Sequence, residues 1–344
     1  MPNQILTEAI DRVADGEDLT ADSAARVLRE VMEGNASEVQ AAALLIALRA
    51  KGETVEEITG LARTMRELAT PVDVDGAELV DTAGTGGGPP TFNVSTTAAF
   101  VAAGAGCRVA KHGNRSATSR CGSADVLEAL GARIDLSPEA VAECIESVGF
   151  GFMFAPNHHR AMRYVVPVRK ELAVRTVFNL LGPLTNPAGA MHQVIGVSDG
   201  GYLEKIAAAL GELGTTSALV VSSADGLDEL SASGPTRVVE LKNGALQSYE
   251  VSPGELGIEP VSDGTVAAGE PDQNAEVTRA VLRGEPGTER SLVVLNGGAA
   301  IYVGGGADTL EAGVRRAEEA IDSGAAREVL ERFVERTGAL GRAA

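Results

Sequence analysis

The sequence predicts an α/β protein in two parts: a small all-helical domain and a large α/β domain with a mainly parallel central sheet. Residues 1–70 carry apolar residues at helical spacing only. From about residue 75, short apolar runs alternate with helical patterns, the signature of a mainly parallel sheet. Residues 81–125 gather an unusual density of Gly, Ser and Thr around a few well-spaced basic residues.

Taken in order, Ile5, Leu6, Ala9, Ile10 and Val13 mark one helix, and Ala24, Val27, Leu28 and Val31 a second. Ser37 with Gln40, and Thr54 with Glu57, have the spacing of capping boxes that open two more. No catalytic residue types cluster in these four helices, which leaves them packing, subunit contact or hinge motion. Leu79 to Thr82 then reads as a strand, followed by the run Gly84-Thr85-Gly86-Gly87-Gly88 and an Ala-rich helix from Ser95 to Ala103. Arg108 to Ala110 is a second strand, followed by a polar loop and a helix entered at Ser123.

Ser137-Pro138 opens the next helix, which runs to Ser147, since Pro is acceptable in a first turn. Gly151 to Phe154 is a short strand, and Asn157-His158-His159 leads into a helix carrying Arg163, Arg169 and Lys170. Adjacent histidines face different sides of a helix and no third ligand stands at metal spacing, so capping or substrate lining is preferred to zinc. The Pro- and Gly-rich stretch 179–187 suits a rigid crossing between domains.

Val194 to Val197 and Ala218 to Ser222 read as strands flanking a helix from Tyr202 to Leu213. Val238 to Leu241 and Gln247 to Val251, joined by Asn243-Gly244, form a tight hairpin. The acidic stretch 253–273 reads as an exposed loop, and Asn274 to Leu282, Leu310 to Ile321 and Ala326 to Arg336 as closing helices.

Composition narrows the function classes. At 344 residues the chain is long enough for two cores, and without Trp they must be built from Ala, Val and Leu. A net charge of −19 argues against nucleic acid as a partner, because phosphate backbones need clustered Lys and Arg. Residues 108–175 run against that trend, with ten Lys and Arg to seven Asp and Glu, and anionic substrates are expected there. Cys107, Cys121 and Cys144 are an odd set without a CxxC pair, which suits a reducing cytoplasm. Neither a secretion leader nor an apolar run of about 20 residues is evident, so no membrane partner is expected.

The two loops of 81–125 suit a phosphate or pyrophosphate. Unpaired N–H groups at a helix start favour an anion, and the glycines let backbone approach it closely. Asn93, Ser95 and Thr96 add side-chain donors, with charge from Lys111 and Arg115 in the second loop. The GxxxxGK[ST] pattern is absent, and Pro89 rules out the dinucleotide glycine fingerprint.

The segments GTGG, TFNVST, KHGNRSATS and GSADVLEALG, in this order and spacing, resemble the anthranilate phosphoribosyltransferase family of tryptophan biosynthesis. Further matches are VRKELAVRTVFNLLGPLTNPA, DGLDELS and LNGGAAIYV, so the resemblance covers nearly the whole chain. It implies a homodimer whose helical domain, residues 1–72, is rejoined by 164–188. Residues 73–163 and 189–344 would form the α/β domain.

The implied reaction moves the ribosyl group of 5-phosphoribosyl-1-pyrophosphate onto the amine of anthranilate, releasing pyrophosphate through an oxocarbenium-like transition state. Such a reaction needs leaving-group stabilisation and positioning rather than a strong base, because an arylamine is neutral at pH 7. By the resemblance, Asp228 and Glu229 hold one Mg²⁺ and Ser95 assists a second; an adjacent acidic pair on a loop is by itself most often only solvated. Mg²⁺ then acts as the electrostatic clamp on the leaving pyrophosphate, completed by Lys111 with the Gly87–Thr96 donors, so Lys111, Asp228 and Glu229 are the catalytic candidates. The anthranilate side falls to Gly84, Asn114, Pro183 and Arg169, with His112 nearby, and a guanidinium matches a carboxylate in two-pronged fashion. The phosphates fall to Gly87, Gly88, Thr91, Asn93, Val94, Ser95, Thr96, Lys111, His112, Gly113, Asn114, Arg115, Ser116, Ala117, Thr118, Ser119 and Ser123.

This chain departs from the family at one place. The family reads GTGGD and three further residues before Thr, whereas here Gly88 and only Pro89-Pro90 precede Thr91. One carboxylate is missing and the prolines stiffen the loop. Alternatives are a pyrimidine nucleoside phosphorylase, which also breaks a ribosyl C–N bond, a transferase with another aromatic amine, and a non-catalytic nucleic-acid-binding relative. KHGNR and GPLTNPA favour the transferase over the phosphorylase, and the net charge opposes nucleic acid.

Overall fold

The computed structural model describes residues 1–74, 78–116, 120–262, 266 and 269–343. Four helices open the chain: α1 (Gln4–Ala14), α2 (Ala21–Met32), α3 (Glu38–Lys51) and α4 (Val55–Glu67). Each starts where a side chain takes up an orphan N–H. Asn3, Thr20, Ser37 and Thr54 accept from Leu6, Ser23, Gln40 and Glu57, each cap contributing about 1 kcal/mol. At Thr54 the box is reciprocal. At Ser37 the reciprocal half does not form: the Gln40 amide turns to the α1 start, accepting from Asn3 N–H at 3.0 Å and donating to Asn3 O at 2.9 Å. Its hydrogen bonds join two helices instead of closing one.

Strands and helices then alternate: β1 (Leu79–Gly84), α5 (Val94–Gly104), β2 (Arg108–Gly113), α6 (Ser123–Ala129), α7 (Pro138–Val148) and β3 (Phe150–Phe154). The single helix expected after Asn157-His158-His159, carrying Arg163, Arg169 and Lys170, does not form: a short α8 (Ala155–His158) is followed by a 3₁₀ turn at Arg160–Tyr164 and by α9 (Val166–Leu172). Pro167 cannot donate the bond that would continue one helix through it. Next come α10 (Phe178–Leu181), a 3₁₀ turn at Gly182–Leu184, β4 (His192–Gly196), α11 (Leu203–Glu212), β5 (Ser217–Ser223), β6 (Thr236–Lys242) and β7 (Ala245–Val251). Asn243 and Gly244 both have positive φ, 50° and 81°, as the tight turn between β6 and β7 requires.

The chain ends in α12 (Pro271–Leu282), α13 (Thr288–Val303), α14 (Leu310–Asp322) and α15 (Ala325–Ala343). The acidic stretch before them is not simply exposed: Pro253–Leu256 forms a 3₁₀ turn, and Leu256, Ile258 and Val266 are buried in the core.

No helix was expected at α13, whose residues 292–301 are all buried. A helix covered on every side shows no apolar stripe. Its glycines permit the close packing: a Cβ on Gly298 would lie 2.6 Å from the Val314 backbone, and one on Gly313 would lie 2.3 Å from Gly298 O.

The seven strands form one sheet in the order β3-β2-β1-β4-β5-β6-β7, parallel through β5 and antiparallel at the last two. On one face, α5, α7 and α13 to α15 close a core in which Phe100 stacks on Phe150 at 4.3 Å, and Phe333 meets Phe150 edge-on at 4.7 Å. On the other face a second core joins Ile195, Val220 and α11 to the four N-terminal helices and to Val165, Val168, Val177 and Phe178. Arg66 crosses that seam, donating to Leu184 O at 2.6 Å and Leu213 O at 3.0 Å. The chain leaves β1 for β2 and β3 on one side and returns as β4 on the other. The carboxyl ends of β1 and β4 are therefore the switch point, where an open parallel sheet has its natural crevice.

Candidate active site

Gly84 and Gly196 pair at the ends of β1 and β4, and the loop leaving β5 lies directly across them. A Cβ on Gly196 would fall 1.6 Å from Asp228 O, and one on Gly84 would fall 2.6 Å from Asp228 Oδ2. Only glycine lets this loop approach. The loop is braced from below by Asp225, whose carboxylate accepts from Ser233 Oγ at 2.9 Å and Leu227 N at 3.3 Å. Burial raises the Asp225 pKa, but hydrogen bonds from Ser223, Ser231 and Ser233 hold it below the usual range. From α13, Asn296 grips both backbone groups of Leu230, at 2.9 and 3.0 Å.

This bracing presents Asp228 and Glu229 side by side. Burial raises the Asp228 pKa, partly opposed by the Gly86 N–H and Arg175. Glu229 is pushed up to about 8 by burial and by the charge of Asp228, with Lys111 and the Ser95 N–H opposing. Two adjacent carboxylates that resist ionising together favour a cation between them and solvent. Among the described residues no three or more His, Cys, Asp and Glu side chains gather as a metal cage. A pair of hard oxygens beside a hydroxyl fits a Mg²⁺ that draws its other ligands from water and phosphate.

Lys111 does not stand in a loop, as the sequence suggested. β2 runs three residues further than its apolar run, to Gly113, and Lys111 is 1% exposed. Its ammonium donates to Thr82 O, and to Thr82 Oγ1 and Ser95 Oγ at 3.2 and 3.3 Å. Burial lowers its pKa while the charges of Asp81 and Glu229 oppose that shift. Asp81, fully buried, has its pKa raised by burial; it accepts from His112 N at 3.1 Å and Asn186 Nδ2 at 2.8 Å.

The glycine run is held from two sides. Gly86 N donates to Asp228 Oδ2 at 2.9 Å, while Gly86 O accepts from Arg175 Nη1 and Ser198 Oγ, both at 2.8 Å. Gly86 and Gly87 have φ of 63° and 93°. A Cβ on Gly88 would lie 2.6 Å from Gly226 O, so this glycine sits against the backbone of the loop that leaves β5.

The remaining sequence-predicted residues divide. Thr91 and Ser95 are half-buried beside the glycine run, and Ser123 opens α6. Val94 and Thr96 are buried inside α5. The Asn93 side chain is committed, donating to Cys121 O at 3.3 Å and accepting from Asn274 Nδ2 at 3.0 Å. Arg115 is exposed and bound to Asp125 at 2.8 Å and Glu128 at 2.5 Å. Ser116 N donates to Asp125 Oδ2 at 3.2 Å, and Asn114 is exposed after Gly113, the last residue of β2. Ala117, Thr118 and Ser119 lie outside the described residues.

His112 is buried, its ring 5.0 Å from that of His159, and burial holds both well below the usual imidazole pKa, His159 at about 4. His158, also buried, has Nδ1 2.9 Å from Thr70 O. Arg169, half-buried on α9, lies 5.6 Å over the Phe178 ring; Pro183 is buried, its carbonyl accepting from Gln193 at 3.0 Å.

Sequence reasoning missed Asp81, Asn186, Arg175 and Ser198. Asp81 carried a signal, a carboxylate inside an apolar strand that leads into GTGG. Arg175 lay within a quoted segment but had no local pattern to mark it.

Residues 76–327 match the glycosyl transferase family a/b domain, and residues 7–69 match that family's helical bundle domain. The anthranilate phosphoribosyltransferase of Rubrobacter xylanophilus is 55% identical over 96% of this chain and 97% of its own. The crystal structure of anthranilate phosphoribosyltransferase from Thermus thermophilus superposes with a TM-score of 0.91 at 47% identity, covering 96% of this chain and 99% of that one. The Saccharomyces cerevisiae enzyme in complex with PRPP and Mg gives 0.87 at 27% identity, covering 97% and 98%. The chain belongs to the anthranilate phosphoribosyltransferase family.

Proposed function

We propose that this protein transfers the phosphoribosyl group of 5-phosphoribosyl-1-pyrophosphate to anthranilate, with Mg²⁺, in tryptophan biosynthesis. The observation that carries the reading is the carboxylate pair Asp228–Glu229 set against the glycine run at the sheet's switch point. In the reaction the ribose C1–O bond to pyrophosphate breaks with its electron pair going to the leaving group. The anthranilate nitrogen bonds to C1 and loses a proton.

Asp228, Glu229 and Ser95 would hold Mg²⁺, which supplies charge stabilisation to the leaving pyrophosphate. The backbone N–H groups of the glycine run orient the phosphates. Lys111 keeps Ser95 and Thr82 in place beneath them and lends positive charge through the strand end. Arg169 pairs with the anthranilate carboxylate, and the neutral histidines around His112 line the acceptor side.

Residues 1–72 with 164–188 form the helical domain, and 73–163 with 189–344 the α/β domain. The shared core of Val165, Val168, Val177 and Phe178 with α2 to α4 supports this division. The protein acts as a homodimer in the cytoplasm. Exposed Val39 and Ile46, one heptad apart on α3, support a subunit contact, and three free buried cysteines support a reducing compartment. Among the described residues no helix is long and apolar enough to cross a membrane.

The test is loss of anthranilate fluorescence on adding phosphoribosyl pyrophosphate and Mg²⁺, abolished by a chelator. Loss of fluorescence that ignores the chelator, or none at all, refutes the reading.

A further inference from the structure

The glycine run has almost no side chains to fix it, and its two positive-φ residues leave its backbone free to turn either way. Something outside the run must set the direction of its N–H groups. Arg175 supplies two hydrogen bonds to consecutive carbonyls, Nη1 to Gly86 O at 2.8 Å and Nη2 to Thr85 O at 3.4 Å. In a planar trans peptide the C=O and the following N–H point opposite ways. Both carbonyls face one guanidinium, so the N–H groups of Gly86 and Gly87 face the other side. There Gly86 N–H already meets a carboxylate, Asp228 Oδ2, at 2.9 Å. With Gly86 N–H taken by Asp228, the Gly87 N–H beside it is the donor turned toward an anion.

The contact is built to be close. A Cβ on Gly87 would fall 1.4 Å from Arg175 Nη1, so glycine is required there for the guanidinium to lie flat on the loop. Arg175 is itself held at both ends. Ala173, in the left-handed region at φ 50°, stops α9, and Thr176 N donates to Asn179 Oδ1 at 3.1 Å to begin the next turn. Val177 and Phe178 are then buried in the core shared with the N-terminal helices. Arg175 therefore reaches the loop from an element anchored on the helical layer. On its other flank it lines a cavity of about 160 Å³, together with Arg49, Glu53, Asp199 and Tyr202.

We infer that Arg175 is a positioning residue for the donor: it fixes the Thr85 and Gly86 carbonyls so that Gly86 N–H meets Asp228 and Gly87 N–H faces the pyrophosphate. The inference rests on the proposed reaction and deepens it. Ser198 Oγ, which shares Gly86 O, is the lesser half of the same grip. A Lys at position 175 would keep the charge but not the two-carbonyl fork.

The experiment compares wild type, Arg175→Ala, Arg175→Lys and Ser198→Ala in steady-state kinetics, with thermal melting to confirm folding. Arg175 is exposed, so the melting temperature is expected to hold. For Arg175→Ala and Arg175→Lys alike, KM for phosphoribosyl pyrophosphate rises about tenfold or more, as expected for loss of a charge-assisted bidentate contact. KM for anthranilate stays within about twofold, because the contact touches only the donor loop. Ser198→Ala moves the donor KM in the same direction by less. Calorimetric titration of Mg²⁺-pyrophosphate into each variant gives the same order without any acceptor. A wild type inactive on anthranilate would sink the reaction, while this titration would still test the loop. Donor KM and pyrophosphate affinity unchanged in Arg175→Ala, or fully restored in Arg175→Lys, overturn the inference.

Discussion

Asp228 and Gly86 are 142 residues apart in the chain and joined by a 2.9 Å hydrogen bond, carboxylate to N–H. That bond ties the exit of β5 to the exit of β1 across β4. The Asp228 carboxylate proposed for the metal and the backbone proposed for the phosphates are therefore joined as one unit. A ligand bridging the two would meet a surface already assembled, which is how positioning lowers a barrier.

The glycines beneath that unit are its foundation. Gly196→Ala places a methyl 1.6 Å from Asp228 O, against backbone that cannot rotate away. We expect a stability loss of about 2–4 kcal/mol and activity reduced at least ~100-fold, since the loop must lift. Gly338→Ala, in α15 with open space around it, is the control and should stabilise by about 0.5–1 kcal/mol. Urea melts of both variants decide it; a neutral Gly196→Ala contradicts the packing.

Metal binding should follow the protonation of Glu229. Its pKa, raised from 4.5 to about 8, leaves it mostly protonated at neutral pH, and ligation requires the carboxylate. Mg²⁺ affinity, read by calorimetry, should rise from pH 6.5 to 8.5. Because the folded pKa is raised, this group's stabilisation is complete below about 4.5 and is lost as pH climbs through about 8. The melting temperature gained on adding Mg²⁺ should therefore be larger at pH 8.5 than at 6.5. An equal gain at both would count against a shared site.

Arg169→Lys should raise KM for anthranilate about tenfold or more and leave the donor KM alone, because Lys cannot fork onto a carboxylate. A change confined to the donor KM would place Arg169 on the wrong substrate.

The buried histidines predict acid sensitivity. Burial lowers His112, His158 and His159, the last to about 4, so the folded state excludes protons that the unfolded chain accepts below 6.5. Their stabilisation is present above pH 6.5 and lost as pH falls toward 4, by about 3 kcal/mol for His159 alone. His159→Phe should flatten that part of a denaturant-melt profile. An unchanged slope would show that the ring carries no such linkage.

The parts of the fold most legible in the sequence are those whose signals are local. Thr54 and Glu57 announce a helix start because both halves of the box lie within one turn. Asn243-Gly244 announces a turn because few other pairs tolerate two positive φ angles. Lys111 was misplaced because strand pairing, not hydrophobicity, carries β2 onward, and its ammonium is satisfied by Thr82 and Ser95 on other elements. The α13 helix was invisible because neighbours on all sides erase its period. Gln40 and Arg175 share one difficulty: their partners, Asn3 and Gly86, are fixed only once the chain has folded.

The most direct test of the central claim is a Mg²⁺ titration of anthranilate consumption in wild type and Asp228→Asn. Asn keeps the size of the side chain but removes the charge that would hold the metal. The predicted result is saturable, Mg²⁺-dependent turnover in the wild type, and at least a ~100-fold loss in the folded variant that added Mg²⁺ only partly restores. Equal turnover in the two proteins, with the same Mg²⁺ dependence, would contradict a metal site on Asp228.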